Sequence, residues 1–297
     1  MYIMHDFFID NNNINEYLSE GGKFLGVVDS YQQYTSKHII NSSLINPYTF
    51  INSNYSFEQT FTENTILPGY SSLDNINIIN ILKNSGINID DNICIYPYNP
   101  TFINSALYIL KILYTIGFKN IHYFNYDWTA LDAIYYTQNY PEWEYKEIPD
   151  FKWEQIDLSV DTNFITTKNN INKLKLIDCR SPADYNGLTN NFKVNGHVPN
   201  AVNIFWQDLF VQSTSVFKSK SEIEQLLNNA GFSKDDKDII IMSDSCLGTG
   251  TMFTALKFIL DWNNIKIYDE FEKEISCQVL SCICYNTLKN ILALYCL

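Results

Sequence analysis

The feature that most constrains the fold is an alternation, repeated twice, of short β-rich apolar runs with stretches of helical spacing, the pattern of α/β units with parallel strands. In the first half the strand candidates are FLGVVD (24–29), NICIYP (92–97) and NIHYFN (120–125). In the second half they are KLKLID (173–178), DIIIMS (238–243) and NIKIYD (264–269). SLDNINIINILKNSG and SKSEIEQLLNNAG each start on Ser, carry helical spacing and stop on Gly, which predicts a helix in each. The halves overlay as a repeat of domain size. GVVDSYQQYTSKHIINSSLIN lies over KLIDCRSPADYNG and NGHVPNAVN, with Asp29 on Asp178, Tyr31 on Arg180 and His38 on His197. ICIYPYNPTFINSALYILKIL lies without a gap over IIIMSDSCLGTGTMFTALKFIL, which puts Pro97 on Ser243 and Leu110-Lys111 on Leu256-Lys257.

A chain of 297 residues accommodates two domains of ordinary size. The expected division is residues 1–143, a linker over 144–160, residues 161–271, and a Cys-rich tail over 272–297. A net charge of −13 argues against nucleic acid or anionic membrane surfaces as partners, since both need basic patches. Arg180 is the only arginine among the 20 basic residues, so a planar, permanently charged fork for an anion exists at one place. MYIMHDFFIDNNN has neither a basic n-region nor an apolar run with a small-residue cleavage site, and the expectation is a cytoplasmic protein. The seven cysteines, odd in number and without framework spacing, are expected as free thiols. In EISCQVLSCICYNTLKNILALYCL, Asn286, Lys289 and Asn290 interrupt the apolar run, so a C-terminal helix on the second domain is expected and not a membrane anchor. Cys277, Cys282 and Cys284 lack a second ligand pair, and no metal is expected.

The chemistry-bearing residues lie in the second half. In LIDCRSPADYNG, Asp178 ends a strand and can tie down a loop. Arg180 projects from the carboxyl end of a parallel strand, where ligands bind in open α/β sheets; its guanidinium suits a sulfonate, carboxylate or phosphate. The alternative for Arg180 is a salt bridge to an acid. His197 is expected to hold the NGHVPN loop by ring hydrogen bonds, because His38 occupies the same place in a half with no evident site. Cys179 should point into the core, on the opposite face from Arg180, and Cys94 sits in a strand.

LIDCRSPADYNG followed by GHVPNAVNIFW resembles the rhodanese-domain signature at Asp178, Arg180, Tyr185, Gly187, Gly196, His197, Pro199, Ala201, Asn203 and Trp206. With the repeat, residues 10 to 270 resemble the tandem rhodanese sulfurtransferases of the thiosulfate and 3-mercaptopyruvate types. The resemblance implies two rhodanese-like domains, each a mostly parallel five-stranded sheet flanked by helices, the first degenerate and the second active. It implies a cysteine directly after a strand that takes up sulfane sulfur, in a loop Cys-x-x-Gly-x-(Arg/Thr) whose amides form an anion-binding nest.

Here the strand is followed by Ser243, and CLGTGT begins three residues later at Cys246. In one register Cys246 is the nucleophile at the base of a shifted loop, with amides from Leu247 to Thr251 around the sulfur. Gly248, Gly250 and Thr251 then hold the substrate sulfur and Arg180 its anionic group. In the other, Ser243 occupies the nucleophile position, where a hydroxyl forms no persulfide, and Cys246 fills the loop wall. The first register implies a sulfurtransferase that moves sulfur from a small anionic donor, thiosulfate or 3-mercaptopyruvate, to a thiol or cyanide acceptor, without cofactor and as a monomer. The second implies a catalytically silent binding or scaffold module. A cysteine-phosphatase loop is disfavoured by Met252 six residues past Cys246, and GTGT lacks the Lys of a P-loop and the third glycine of a dinucleotide fingerprint. In the first half Pro97, at the nucleophile position, carries neither sulfur nor an N–H, so that half should be scaffold and at most a wall of an interdomain cleft.

Overall fold

A computed structural model describes residues 7–28, 37–52, 71–72, 75–139, 141–144, 146, 175–189, 195–243 and 246–268. The first domain runs β1 (Phe8–Ile9), α1 (Ile14–Ser19), β2 (Lys23–Val27), β3 (His38–Ile39), β4 (Ser42–Ile45), β5 (Ile51–Asn52), β6 (Ser71–Ser72), α2 (Asn75–Asn84), β7 (Ile93–Pro97), α3 (Ile103–Thr115), β8 (Ile121–Phe124) and β9 (Tyr136–Thr137). The second contains β10 (Lys175–Asp178), α4 (Pro182–Tyr185), β11 (Ala201–Asn203), α5 (Lys220–Asn229), β12 (Ile239–Met242), α6 (Cys246–Thr254) with a π-helical continuation over Ala255–Ile259, and β13 (Ile265–Tyr268).

The first sheet has the order β1-β8-β7-β2-β4 and is parallel throughout. The second, β11-β10-β12-β13, is also parallel. Its four strands repeat the order of β4-β2-β7-β8, so the repeat read in the sequence is a repeat of topology. Five strands per sheet is met in the first; among the described residues the second has four. Two antiparallel ribbons, β3 with β9 and β5 with β6, lie outside the sheets.

The strands are apolar on both faces because both faces are covered. In the first sheet Leu25, Val27, Ile93, Ile95, Ile121 and Tyr123 enter one core, and Phe24, Cys94, Tyr96 and Phe124 enter another on the opposite face. In the second sheet Ile177, Ile239, Ile241, Ile265 and Ile267 belong to that same first core. The inner faces of the two domains therefore share one continuous core, and α3 and α6 cross inside it. This placement explains why α3 is apolar nearly all round: Ser105 to Leu113 are buried without a break, as a helix enclosed on all sides requires.

Both expected helices form and both stop before the predicted glycine, but only the second starts on its Ser: α2 begins at Asn75, and Ser72 lies in β6. Ser219 caps α5, its Oγ accepting from Glu222 N while Glu222 Oε2 accepts from Ser219 N at 2.9 Å, a capping box. Gly86 and Gly231, with φ of +70° and +87°, follow the ends of α2 and α5. The start of the expected linker is held on the first domain. Asn88 Nδ2 donates to the Glu144 carbonyl at 3.1 Å and Lys146 N donates to Asn88 Oδ1 at 2.7 Å. Among the described residues no helix is long and apolar enough to cross a membrane. The Cys-rich tail, Asp29, Tyr31 and most of the linker lie outside the described residues.

Candidate active site

The site expected from sequence lies at the carboxyl end of β10 and β12, neighbours at the centre of the second sheet. The motif residues come together there as a clasp. Asp178 and Arg180 form a salt bridge at 2.6 Å whose side chains are both 0% exposed. Arg180 Nε also donates to Asp178 Oδ1 at 3.0 Å and Nη2 to the Gly196 carbonyl at 2.8 Å. Asn203 Nδ2 donates to the carbonyls of Asp178 and Arg180 at 3.0 and 2.9 Å. The His197 ring stacks on Tyr185, centroids 3.7 Å apart, and its Nδ1 donates to the Tyr185 carbonyl at 2.8 Å. Tyr185 Oη in turn donates to the Ala201 carbonyl at 2.7 Å. Gly187 (φ +70°) and Gly196 (φ +104°) lie against each other; a Cβ on Gly187 would stand 3.0 Å from Gly196 N. Both glycines are there because the two loops touch through their backbones in left-handed conformations.

The internal salt bridge, the alternative held for Arg180, is present: its enclosed guanidinium bonds Asp178 and Gly196. His197 holds the loop through its ring, as read from the sequence. Cys179 is buried in the shared core. Cys94 is fully buried, and burial pushes its thiol well above its ordinary value, so it remains an inert thiol. Burial also pushes the Tyr185 hydroxyl up; the Asp178 carboxylate adds to the shift and Arg180 opposes it.

After β12 the chain passes through Ser243, which is 2% exposed, and enters α6 at Cys246. The loop expected over Leu247–Thr251 is instead helix. In an α-helix the N–H groups of the first three helical residues lack an intrahelical partner, here those of Cys246 to Gly248. The Gly250 and Thr251 amides face along the helix axis and do not turn back to encircle a sulfur at residue 246. Ser243 directly follows the strand, as the gap-free overlay of the two halves has it, and Cys246 opens the helix.

Gly248, Gly250 and Thr251, expected around the substrate, sit within α6. Gly250 and Thr251 meet α3: a Cβ on Gly250 would stand 2.6 Å from Tyr108 N and 2.7 Å from the Leu107 carbonyl carbon. Thr251 Oγ1 donates to Asn104 Oδ1 at 2.6 Å, and the Lys111 ammonium donates to Thr249 Oγ1 at 3.2 Å. Asn104 and Lys111 were not singled out in the sequence. The overlay pairs Lys111 with Lys257, and nothing in the pattern distinguishes the lysine that faces the other domain from the one that does not.

Two parallel sheets of matching strand order, with the clasp at the carboxyl edge of the second, define a two-domain rhodanese-type fold. Residues 165–273 match the rhodanese-like domain family, and the chain as a whole shares the fold of the solved two-domain structure it superposes on. A putative thiosulfate sulfurtransferase of Haloferax volcanii is 25% identical over 209 residues, 64% of this chain and 67% of that protein. The sulfur carrier protein TtuD of Thermus thermophilus is 31% identical over 102 residues, 32% of this chain; the match spans 35% of the relative's length. Among solved structures, SseA of Escherichia coli, described as a 3-mercaptopyruvate sulfotransferase, superposes with a TM-score of 0.65 at 18% identity, covering 89% of this chain and 98% of that one.

Proposed function

We propose that the chain is a rhodanese-type sulfurtransferase in which Cys246 accepts sulfane sulfur. The observation that carries this reading is the place of Cys246 in the first turn of α6, at the carboxyl edge of a central parallel strand. There the positive end of the helix favours thiolate over thiol. The Cys246 thiolate attacks the outer sulfur of thiosulfate; the S–S bond of the donor breaks, sulfite leaves with its electron pair, and a cysteine persulfide anion remains. A thiolate or cyanide then attacks the outer sulfur, the Cys246 thiolate is restored, and a new persulfide or thiocyanate leaves. With 3-mercaptopyruvate a C–S bond breaks instead, and the departing carbanion takes a proton to become pyruvate. Since Arg180 is engaged with Asp178, the donor's anionic group meets the first-turn amides of α6 in place of a guanidinium. Gly248, Gly250 and Thr251 act on this reading through the packing of the helix.

A second reading draws support from Ser243, which follows β12 directly and offers a hydroxyl where sulfur chemistry needs a thiol. On this reading the chain is a silent binding module. Mass spectrometry of the full chain after exposure to each donor separates the two. An added mass of about 32 Da, one sulfur on a cysteine, on the peptide containing Cys246, with cyanide-dependent turnover lost in Cys246→Ala, is the result expected of the enzyme. No adduct in the wild type, and turnover appearing in Ser243→Cys, would establish the silent module.

A further inference from the structure

The first domain has Pro97 where a nucleophile would stand, yet the carboxyl ends of its central strands carry a feature of another kind. Tyr98 follows β7 directly and Trp128 lies shortly past β8. The two strands are neighbours in the sheet, and this is the edge where open α/β sheets bind ligands. With Tyr136 of β9 these residues form an aromatic corner. The Trp128 and Tyr136 rings stand at 79° with centroids 6.0 Å apart, and Tyr98 packs on Trp128 at 4.9 Å. Their polar edges are tied to backbone: Tyr136 Oη donates to the Trp128 carbonyl at 2.7 Å, Trp128 Nε1 to the Tyr98 carbonyl at 2.9 Å and Tyr98 Oη to the Lys37 carbonyl at 2.9 Å. The rings are thus fixed by their edges, and ring faces are what the corner presents.

A cation already sits there. The pairing of β3 with β9 brings Lys37, just before β3, over Tyr136. Its ammonium stands 3.4 Å from the Tyr136 centroid and 5.9 Å from that of Trp128. Among the described residues it has no hydrogen-bond or carboxylate partner, although the chain has 33 Asp and Glu residues; ring faces hold it. A ring attracts a cation within about 6 Å of its centroid, so the ammonium is close to one wall and at the limit of the other. A lysine ammonium is also strongly hydrated and has three N–H donors, which ring faces do not satisfy. A quaternary nitrogen has no N–H to leave unpaired, and its methyl groups reach both walls at once. Burial raises the Tyr136 hydroxyl above its ordinary value and Asp127 and Asp132 raise it further, so negative charge rims the corner. Lys37 and Tyr136 are half-buried, and solvent has access.

We propose that this corner is a binding site for the quaternary ammonium head of a small, choline-like cation, and that Lys37 is an internal occupant which the ligand displaces. The acidic rim selects against a ligand that carries a carboxylate of its own. The first domain then has a site at the same edge of its sheet as the second, with different chemistry, and the inference does not depend on Cys246 as sulfur acceptor.

The test is calorimetric titration of the full chain, at constant ionic strength, with choline chloride and separately with dimethylbutanol, its neutral carbon isostere. The proteins are wild type, Lys37→Ala, and Lys37→Ala combined with Tyr136→Leu. We expect Lys37→Ala to bind choline roughly tenfold more tightly than the isostere, the preference that a cation over ring faces provides. Wild type should bind choline more weakly than Lys37→Ala, because the ligand must first displace the lysine. Tyr136→Leu in the Lys37→Ala background should abolish the preference for choline. Equal binding of choline and the isostere, or no binding of choline by Lys37→Ala, overturns the site. Equal affinity of wild type and Lys37→Ala overturns the role of Lys37 as occupant. If Tyr136→Leu does not fold, the comparison of choline with its isostere decides alone. A merely structural lysine would lower Tm on removal and leave no binding behind.

Discussion

Replacing Gly250 by alanine tests the crossing of α3 and α6 because two effects of opposite sign meet there. Helix propensity alone favours Ala over Gly by about 1 kcal/mol, so in an unpacked helix the substitution would stabilise. In this structure the new Cβ would stand 2.6 Å from Tyr108 N, 2.7 Å from the Leu107 carbonyl carbon and 2.8 Å from its oxygen. All three are backbone atoms, which cannot rotate away. Reaching an ordinary 3.4 Å contact requires the helices to part by about 0.8 Å. Overpacking of this kind costs about 1–3 kcal/mol. Parting the helices also stretches the buried Lys111–Thr249 bond of 3.2 Å, and a hydrogen bond to a charged group contributes about 1.5–3 kcal/mol. The net expectation is a loss of about 3 kcal/mol, read as a lower urea midpoint with tryptophan fluorescence as the probe. In thermal scans the loss corresponds to roughly 2–4 °C per kcal/mol. A Gly250→Ala protein as stable as wild type, or more stable, would refute the close crossing and the continuity of the core across it.

Removing one partner of the fully buried Asp178–Arg180 pair should destabilise by about 3–5 kcal/mol. A double-mutant cycle of Asp178→Asn with Arg180→Met should be strongly non-additive; an Arg180→Lys protein of unchanged Tm but weakened donor binding would instead mark a substrate-binding fork. The Cys94 thiol, raised by burial, should resist a thiol-exchange reagent until the protein unfolds. Because its folded value lies above the unfolded one, its contribution is fully present below the unfolded value and is lost as pH rises, so Cys94→Ala should flatten the alkaline limb of the stability profile. Glu222 titrates below its ordinary value because Ser219 bonds it through its hydroxyl and its N–H. That contribution is present above the unfolded value and lost as pH falls through the folded one; Ser219→Ala should reduce the acid sensitivity of α5, followed by hydrogen exchange of its amides.

Six of the strands were legible in the sequence because the buried, parallel strands of both sheets are continuous apolar runs, and Ile93–Pro97 and Ile239–Met242 fall within the predicted bounds. The edge strands Ser42–Ile45 and Ala201–Asn203 were not, since short segments at a sheet edge, with polar members, carry little periodic signal. The clasp residues were legible as a motif, but their work was not. The spelling Asp-x-Arg admits both an anion site and an internal salt bridge, and the buried salt bridge itself is seen only in the structure.

The sequence by itself determined the two-domain α/β architecture, the repeat that relates the halves and the loop residues that identify the rhodanese-like domain, because these depend on local periodicity and on residue types needed at fixed backbone positions. The tertiary structure alone decided that CLGTGT is a helix, with Ser243 at the strand end and Cys246 in the first turn. A glycine-rich run is locally compatible with loop and helix alike. What selects the helix here is α3 from the other domain, 138 residues away in sequence at the Lys111–Thr249 bond, whose backbone lies so close that only glycine fits at position 250.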